Sequence, residues 1–253
     1  MKKFQIIILA AGTGSRMGNF TKKKPKCLLE INNESILSRQ IRVIKECNIN
    51  KIFIVGGYLV SLLKKFKLKT ITNNDYRTSN MVWSLFKAKK YLNSKTIISY
   101  GDIIYHRKIL KKLTENKSDI AIAVDQNYKK YWKSRFKNPF RDLETLKIEK
   151  NKLIEIGKKT NSYKNIHGQY IGLIKLSNLG CKIFKKAFKE LNLRNDKIQG
   201  KTIKKAFFTD FLQEMIMSGV KITPVFFKDP WVEIDTIKDI KNPITIKRLS
   251  KIN

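Results

Sequence analysis

Residues 4–18 read FQIIILAAGTGSRMG, an apolar run that passes directly into a glycine-rich turn. Phe4 to Leu9, a run rich in apolar and β-branched residues and broken only at Gln5, predicts a strand that is buried on both faces. The small residues after it let backbone amides approach a ligand closely, as phosphate-binding loops require. Met17 stands where a GxGxxG dinucleotide loop needs its third glycine, and the Gly-Lys-Ser/Thr of a Walker A loop is missing. The turn therefore predicts a phosphate site of another kind.

Strand patterns and helix patterns alternate along the chain after this turn. Runs rich in β-branched residues, which predict strands, occupy 52–55, 70–72, 96–99, 120–124, 221–226 and 231–234. Helical spacing of apolar residues occurs at 35–47, 60–66, 80–91, 108–115, 179–191, 204–217 and from Ile237. This order predicts an α/β fold with a Rossmann-like, mostly parallel sheet sandwiched by helices.

The regular alternation fails between about residues 125 and 175. Strand patterns at 143–148, 152–156 and 169–176 follow one another there without helical patterns between them. We expect a β-rich insertion over the carboxyl edge of the sheet, where open α/β sheets bind their ligands. The 5 prolines and 12 glycines form no linker, and 42% hydrophobic content is enough for one core, so residues 1–253 are predicted to form a single domain.

The formal charge of +34 would suggest a nucleic acid or an anionic membrane as partner. Most of the excess is lysine, spread from end to end together with many isoleucines and asparagines. Nucleic-acid interfaces instead concentrate basic residues on one face. We therefore expect no specific nucleic-acid partner, and a non-catalytic, basic nucleic-acid-binding protein is the alternative of another class.

The three cysteines are far apart and lack metal-ligand spacing, so neither a disulfide framework nor a zinc site is expected. No apolar stretch approaches the length of a membrane span. The N-terminal apolar run ends in glycines rather than in a cleavage site. We expect a cytoplasmic protein without a membrane span, and a homodimer is left open.

Arg16 and the segment Pro25-Lys26-Cys27-Leu28 extend the first motif to LAAGxGSRMxxxxxxxPKCL. This order resembles the signature of the nucleotidyltransferase superfamily that makes nucleotide-activated sugars and alcohols. The resemblance implies that Lys26 and Arg16 are catalytic residues that hold phosphate charge. It also implies that the turn binds the nucleotide through Leu9, Ala10, Ala11, Gly12, Thr13 and Gly14.

Two aspartates follow predicted strands, Asp102 after Ser99-Tyr100-Gly101 and Asp235 after the segment 231–234. Mg²⁺ typically takes one or two protein carboxylates together with phosphate oxygens and water. Nucleotidyl transfer asks the protein mainly for positioning and charge neutralisation, which such a metal supplies. We predict Mg²⁺ on Asp102 and Asp235, the positions that the resemblance also implies. For each aspartate alone, a helix N-cap is the competing interpretation.

Three later segments, 73–85, 132–144 and 157–173, narrow the resemblance. In this order they are similar to the phosphocholine and 2-aminoethylphosphonate cytidylyltransferases and their capsule-linked relatives, from Ile6 to about Ile240. The resemblance implies an enzyme that transfers CMP from CTP to a small phosphorylated or phosphonate acceptor and releases pyrophosphate. It also implies that Gly57, Tyr58 and Asn80 face the nucleotide, and an asparagine amide is suited to a pyrimidine edge.

The resemblance does not single out one acceptor, because this chain reads NMVWSL from Asn80 where those enzymes usually read N-N-x-x-S-L. An aromatic box of Tyr128, Tyr131 and Trp132 with Asp125 would suit a quaternary ammonium, and core packing is the alternative. Asp210 is either an acceptor contact or a helix cap. The acceptor-binding candidates are Asp125, Trp132, Glu144, Lys158, Gln169 and Asp210. The alternative enzyme is a sugar-1-phosphate or molybdopterin-type nucleotidyltransferase that uses UTP, dTTP or GTP.

Overall fold

The computed structural model describes residues 4–194 and 197–252. Its strands are β1 (Gln5–Ala10), β2 (Glu30–Ile31), β3 (Glu34–Ser35), β4 (Lys51–Gly56), β5 (Lys69–Thr72), β6 (Thr96–Tyr100), β7 (Ile103–Tyr105), β8 (Ile120–Asp125), β9 (Glu144–Glu149), β10 (Lys152–Lys159), β11 (Gln169–Leu176), β12 (Thr223–Phe227) and β13 (Trp231–Glu233). Its α-helices are α1 (Ile36–Glu46), α2 (Met81–Lys87), α3 (Arg107–Glu115), α4 (Tyr128–Arg135), α5 (Asn178–Arg194), α6 (Phe208–Met217), α7 (Ile237–Lys241) and α8 (Pro243–Leu249). In this part of the chain, no helix has the length and apolar character of a membrane span.

Seven strands form the central sheet in the order β12-β8-β11-β6-β1-β4-β5. The pairs β1–β4, β1–β6, β4–β5 and β8–β12 are parallel. Strand β11 runs antiparallel to both of its neighbours, β6 and β8. The predicted mostly parallel α/β sheet is therefore confirmed, with β11 as its antiparallel member.

The two faces of β1 pack against different helices, as its continuous apolar sequence predicts. Ile6 and Ile8 belong to the core cluster that contains Leu37 of α1 and Ile109 of α3. Ile7, the residue between them, belongs to the opposite cluster, which holds residues of α2, α5 and α6. Because successive side chains of a strand point to opposite faces, this one strand anchors both layers of the sandwich.

The segment 125–175 is only partly the insertion that the sequence predicts. Strands β9 and β10 pair as an antiparallel hairpin, and the hairpin packs on α6, where the Ile156 N–H donates to Gln213 Oε1 at 2.8 Å. Strand β11 instead lies inside the central sheet. Helix α4 was not predicted, because its mixture of aromatic and lysine residues carries almost no helical pattern.

Three predicted helices differ in their extent or type. The segment Val60–Phe66 is a 3-10 helix. The helix predicted over 80–91 divides into α2 and a short 3-10 helix, Lys89–Tyr91. Helix α6 begins at Phe208 rather than at Lys204, because the Asp210 carboxylate accepts the Phe207 N–H at 2.7 Å and fixes the first turn there.

Candidate active site

A cleft of about 460 Å³ opens at the carboxyl ends of β1 and β6, bounded on one side by the glycine-rich turn. Gly14 has a φ of +68°, which favours glycine. A Cβ atom there would lie 2.9 Å from the Lys26 Cβ. Thr21 Oγ1 donates to the Gly14 carbonyl at 3.0 Å and holds the turn closed. The turn thus reaches the cleft through its backbone and packs directly on Lys26.

Gly101 brings Asp102 to the end of β1. The Gly101 N–H donates to the Leu9 carbonyl at 2.9 Å. A Cβ atom at Gly101 would lie 2.7 Å from that carbonyl oxygen and 2.9 Å from the Ala10 Cβ. Only glycine allows so close an approach, so Asp102 follows a residue that packs on the end of β1.

Strands β7 and β13 pair as an antiparallel ribbon that brings the second aspartate to the first. The Ile234 N–H donates to the Asp102 carbonyl at 3.0 Å. Asp235 follows at once and lines the cleft. The two predicted metal ligands therefore stand side by side.

Lys26 links both aspartates. Its Nζ atom lies 2.6 Å from Asp102 Oδ2 and 2.9 Å from Asp235 Oδ1. Burial by itself would lower the pKa of Lys26, but the two carboxylates outweigh it and raise that pKa, so the ammonium stays charged. Arg16 Nη2 lies 2.8 Å from the same Asp235 oxygen, and its side chain is 63% exposed. The four charged residues predicted to form the site therefore lie in direct contact: Arg16, Lys26, Asp102 and Asp235.

Asp102 and Asp235 are the residues of the cleft that could hold a Mg²⁺ ion. Asp102 Oδ1 is buried and has no hydrogen-bond partner within residues 4–194 and 197–252. Burial raises the pKa of Asp235, but Lys26 and Arg16 more than offset this and lower it, so its carboxylate stays ionised. No larger group of His, Cys, Asp and Glu suits a metal in the described residues. Two carboxylates with an unsatisfied oxygen fit Mg²⁺ when phosphate and water complete its coordination.

Gly57 and Tyr58, two of the predicted nucleotide contacts, pack against the glycine-rich turn instead of lining the cleft. The Tyr58 N–H donates to the Ala11 carbonyl at 3.1 Å, and a Cβ atom at Gly57 would lie 2.8 Å from the same oxygen. Asn80 does line the cleft, where its Oδ1 also accepts the Met81 N–H as the cap of α2.

Part of the cleft wall consists of residues that were not predicted from the sequence. Residues that line the cleft without having been predicted are Ser15, Cys27, Tyr76, Ser79, Met81, Ser84 and Gly101. Fully buried Asn73 organises this wall, because its Nδ2 donates to Ser79 Oγ at 3.0 Å and to Ser84 Oγ at 2.9 Å. The signal in the sequence was an asparagine directly after β5, at the carboxyl edge.

The predicted aromatic box is wrong. Tyr128, Tyr131 and Trp132 are at most 2% exposed and pack against one another within the core. Asp125 is 1% exposed and accepts the indole N–H of Trp231 at 2.8 Å. Because every face of these side chains is covered by protein, neither Asp125 nor Trp132 is placed to bind an acceptor. Core packing is the correct interpretation.

Two further acceptor candidates have roles within the protein. Both oxygens of Asp210 accept from Lys201 Nζ at 2.9 Å, and one also caps α6 as described above. Lys158 is half exposed and pairs with Glu155 at 2.7 Å on the hairpin. Helix capping is thus the correct interpretation of Asp210.

Glu144 and Gln169 remain as predicted acceptor contacts. Burial raises the pKa of Glu144 to about 7, only partly countered by Thr209. Gln169 Oε1 is buried and lacks a hydrogen-bond partner in the described chain. Neither residue lines the cleft, so acceptor contacts at Glu144 and Gln169 stay predictions.

Comparisons with known proteins identify the family and the fold of this chain. A profile of the MobA-like NTP transferase domain matches residues 6–161. The chain is 38% identical to the CTP:phosphoglutamine cytidylyltransferase of Campylobacter jejuni over 247 residues, 93% of this chain and 97% of that one. It is 32% identical to the choline-phosphate cytidylyltransferase of Streptococcus pneumoniae over 44% of this chain and 50% of the relative. The inositol-1-phosphate CTP transferase from T. maritima has the same fold, with a TM-score of 0.76 at 18% identity over 98% of this chain and 95% of that one.

Proposed function

We propose that this chain, which belongs to the family of MobA-like NTP transferase domains and is a nucleotidyltransferase, uses CTP as its donor. It transfers CMP from CTP to a small phosphorylated acceptor and releases pyrophosphate. The observation that carries the proposal is the position of Lys26 between Asp102 and Asp235, beside the glycine-rich turn. A cation paired with two carboxylates at a phosphate-binding turn suits charge neutralisation during nucleotidyl transfer.

The choice of CTP and of the acceptor rests on the relatives. The C. jejuni protein, which aligns over nearly its whole length, is named for CTP and phosphoglutamine. The family description names no base, so it does not separate CTP from UTP, dTTP or GTP. We propose CTP as donor and a phosphoglutamine-type compound as the first acceptor to test, ahead of phosphocholine and phosphonates.

The transfer proceeds in one displacement. A phosphoryl oxygen of the acceptor attacks the α-phosphorus of CTP in line, the new P–O bond forms, and the bond to the bridging oxygen of pyrophosphate breaks. The attacking oxygen is already ionised at neutral pH, so no protein base is needed. Lys26 neutralises the α-phosphate, and exposed Arg16 stabilises the charge on pyrophosphate. Mg²⁺ held by Asp102 and Asp235 would supply charge neutralisation to the phosphates when bound.

Pyrophosphate release tests this function. The purified protein is assayed with Mg²⁺ and each of CTP, UTP, dTTP and GTP, combined with phosphoglutamine, phosphocholine, 2-aminoethylphosphonate, inositol 1-phosphate and glucose 1-phosphate. We expect turnover with CTP and a non-sugar acceptor, and none in EDTA. Turnover confined to UTP, dTTP or GTP with a sugar phosphate would overturn the choice of substrates while keeping the enzyme class.

The nucleic-acid-binding alternative is tested on the same preparation. Fluorescence anisotropy with a labelled RNA of random sequence, at several salt concentrations, measures its affinity. A lysine-rich surface without a specific site is expected to bind weakly at physiological salt. Tight, steeply salt-dependent binding together with absent turnover would favour the alternative.

A further inference from the structure

Arg135, on α4, has a side chain that is wholly buried yet lies beside the candidate metal site. Its Nη1 atom lies 2.6 Å from Glu233 Oε2, its Nε 2.8 Å from Asp239 Oδ1, and its Nη2 3.3 Å from Asp235 Oδ2. Burying an unpaired guanidinium is very costly, so these carboxylates are what allow it to be there. Burial and the charge of Asp235 keep the pKa of Glu233 above its ordinary value despite this pairing.

The orientation of the guanidinium is fixed from the α4 side. Its central carbon lies 5.4 Å from the ring centres of Tyr131 and Trp132 and 5.1 Å from that of Phe136. Aromatic rings at these distances attract the cation and leave it little room to turn. Tyr131 and Trp132, two members of the predicted aromatic box, thus pack against Arg135.

The two oxygens of Asp235 face different ways as a result. Oδ1 contacts Lys26 and Arg16 in the cleft, while Oδ2 contacts Arg135 on the core side. The Asp235 backbone N–H is held as well, by Asp239 Oδ2 at 3.0 Å. Since Asp239 also binds Arg135, one buried network restrains both the backbone and the carboxylate of Asp235.

We propose that Arg135 is the positioning residue of the metal site, holding Asp235 from behind so that Oδ1 points into the cleft. This inference rests on the proposed function, because it assumes that Asp235 is a metal ligand. It assigns a role to α4, which links the segment 125–175 to the cleft. Replacing a residue that orients a metal ligand in this way typically lowers metal affinity by about 10- to 100-fold.

Arg135→Lys tests the proposal, because it keeps the positive charge and removes the three-way fork. Binding of Mn²⁺ is measured by electron paramagnetic resonance in the presence of α,β-methylene-CTP, and binding of the analogue is measured in EDTA. We expect Mn²⁺ affinity to fall by about 10- to 100-fold, with analogue affinity in EDTA unchanged. A structural role alone would lower the melting temperature and leave the Mn²⁺ affinity of the folded protein as it was.

Arg39→Lys is the matched control. Arg39 is also buried, donates to the Ile31 carbonyl at 2.7 Å and pairs with Glu34 at 3.5 Å, away from the cleft. Its replacement is expected to change melting temperature but not Mn²⁺ affinity. The proposal would be overturned if Arg135→Lys lowered Mn²⁺ affinity by less than about twofold, because replacing such positioning residues lowers affinity by at least about 10-fold.

A second variant decides the matter if Arg135→Lys does not fold. Asp239→Asn leaves the guanidinium in place and removes the charge of one anchor, so a smaller but measurable loss of Mn²⁺ affinity supports the proposal. Unchanged affinity contradicts it. Absence of Mn²⁺ binding to the wild-type protein with the analogue would instead refute the metal site itself, which distinguishes failure of the proposed function from failure of this inference.

Discussion

Lys26 Nζ lies 2.9 Å from Asp235 Oδ1, although 209 positions separate the two residues in the sequence. Their side chains are 16% and 7% exposed. In such a poorly hydrated place, charges interact more strongly than they do in water. The pair therefore joins the beginning and the end of the fold at the point where phosphate charge must be neutralised.

Lys26→Ala and Asp235→Asn are each expected to lower kcat/KM at least about 100-fold, because both remove charge stabilisation from the reacting phosphates. Initial rates of pyrophosphate release measure the loss, and circular dichroism verifies the fold. Lys182→Ala, an exposed lysine of α5, is the control and should keep wild-type rates. Near-normal rates in both cleft variants would contradict the assignment of the site.

Replacing Gly101 and Gly12 by alanine should have different effects. A Cβ atom at Gly101 meets the Leu9 carbonyl at 2.7 Å, whereas one at Gly12 meets nothing within 4 Å. Gly101→Ala is expected to displace Asp102, to cost about 1–3 kcal/mol of stability and to lower kcat. Gly12→Ala should unfold like wild type but bind CTP more weakly, because its methyl group enters the cleft. Urea unfolding and CTP titration measure both, and equal stability of the two variants would contradict this expectation.

Asn73→Ala should weaken the wall of the cleft. It removes two bonds to the hydroxyls of Ser79 and Ser84 and the acceptor for the Asp75 N–H at 3.0 Å. Loss of these buried contacts should cost about 2 kcal/mol and raise the KM for CTP. Asn74→Ala, at the exposed neighbouring position, is the control and should change neither. The idea fails if the two variants have the same KM and the same unfolding midpoint.

Glu144→Gln should make the protein less sensitive to pH. The pKa of Glu144 is raised from 4.5 to about 7 by burial, so the folded state binds more protons than the unfolded state between these values. Wild-type stability therefore falls as pH rises through this range, and the penalty is complete above about pH 7. Glutamine has no such penalty, so the variant should gain about 3 kcal/mol on wild type between pH 4.5 and pH 8. Denaturant unfolding across that range checks it, and a constant difference would contradict it.

The features of this protein that depend on neighbouring residues along the chain could be predicted from local sequence patterns. The apolar run of β1 and its glycine-rich turn were recognisable because strand burial and close backbone approach both demand particular residue types in order. The strand-end position likewise predicted Asp102, because the carboxyl ends of parallel strands share one edge. Asp235 follows β13, which lies outside the parallel sheet and reaches Asp102 through its antiparallel pairing with β7.

Features that depend on packing between distant segments could not be predicted from local patterns. The same aromatic residues, Tyr131 and Trp132, would suit an acceptor box or a core. Their burial and their packing against each other and against Arg135 select the core. The direction of β11, the helix α4 and the supporting role of Gly57 were equally invisible, since no local pattern encodes them. Contacts between segments far apart in sequence follow from how the whole core closes, and that is settled by packing rather than by the local order of residues.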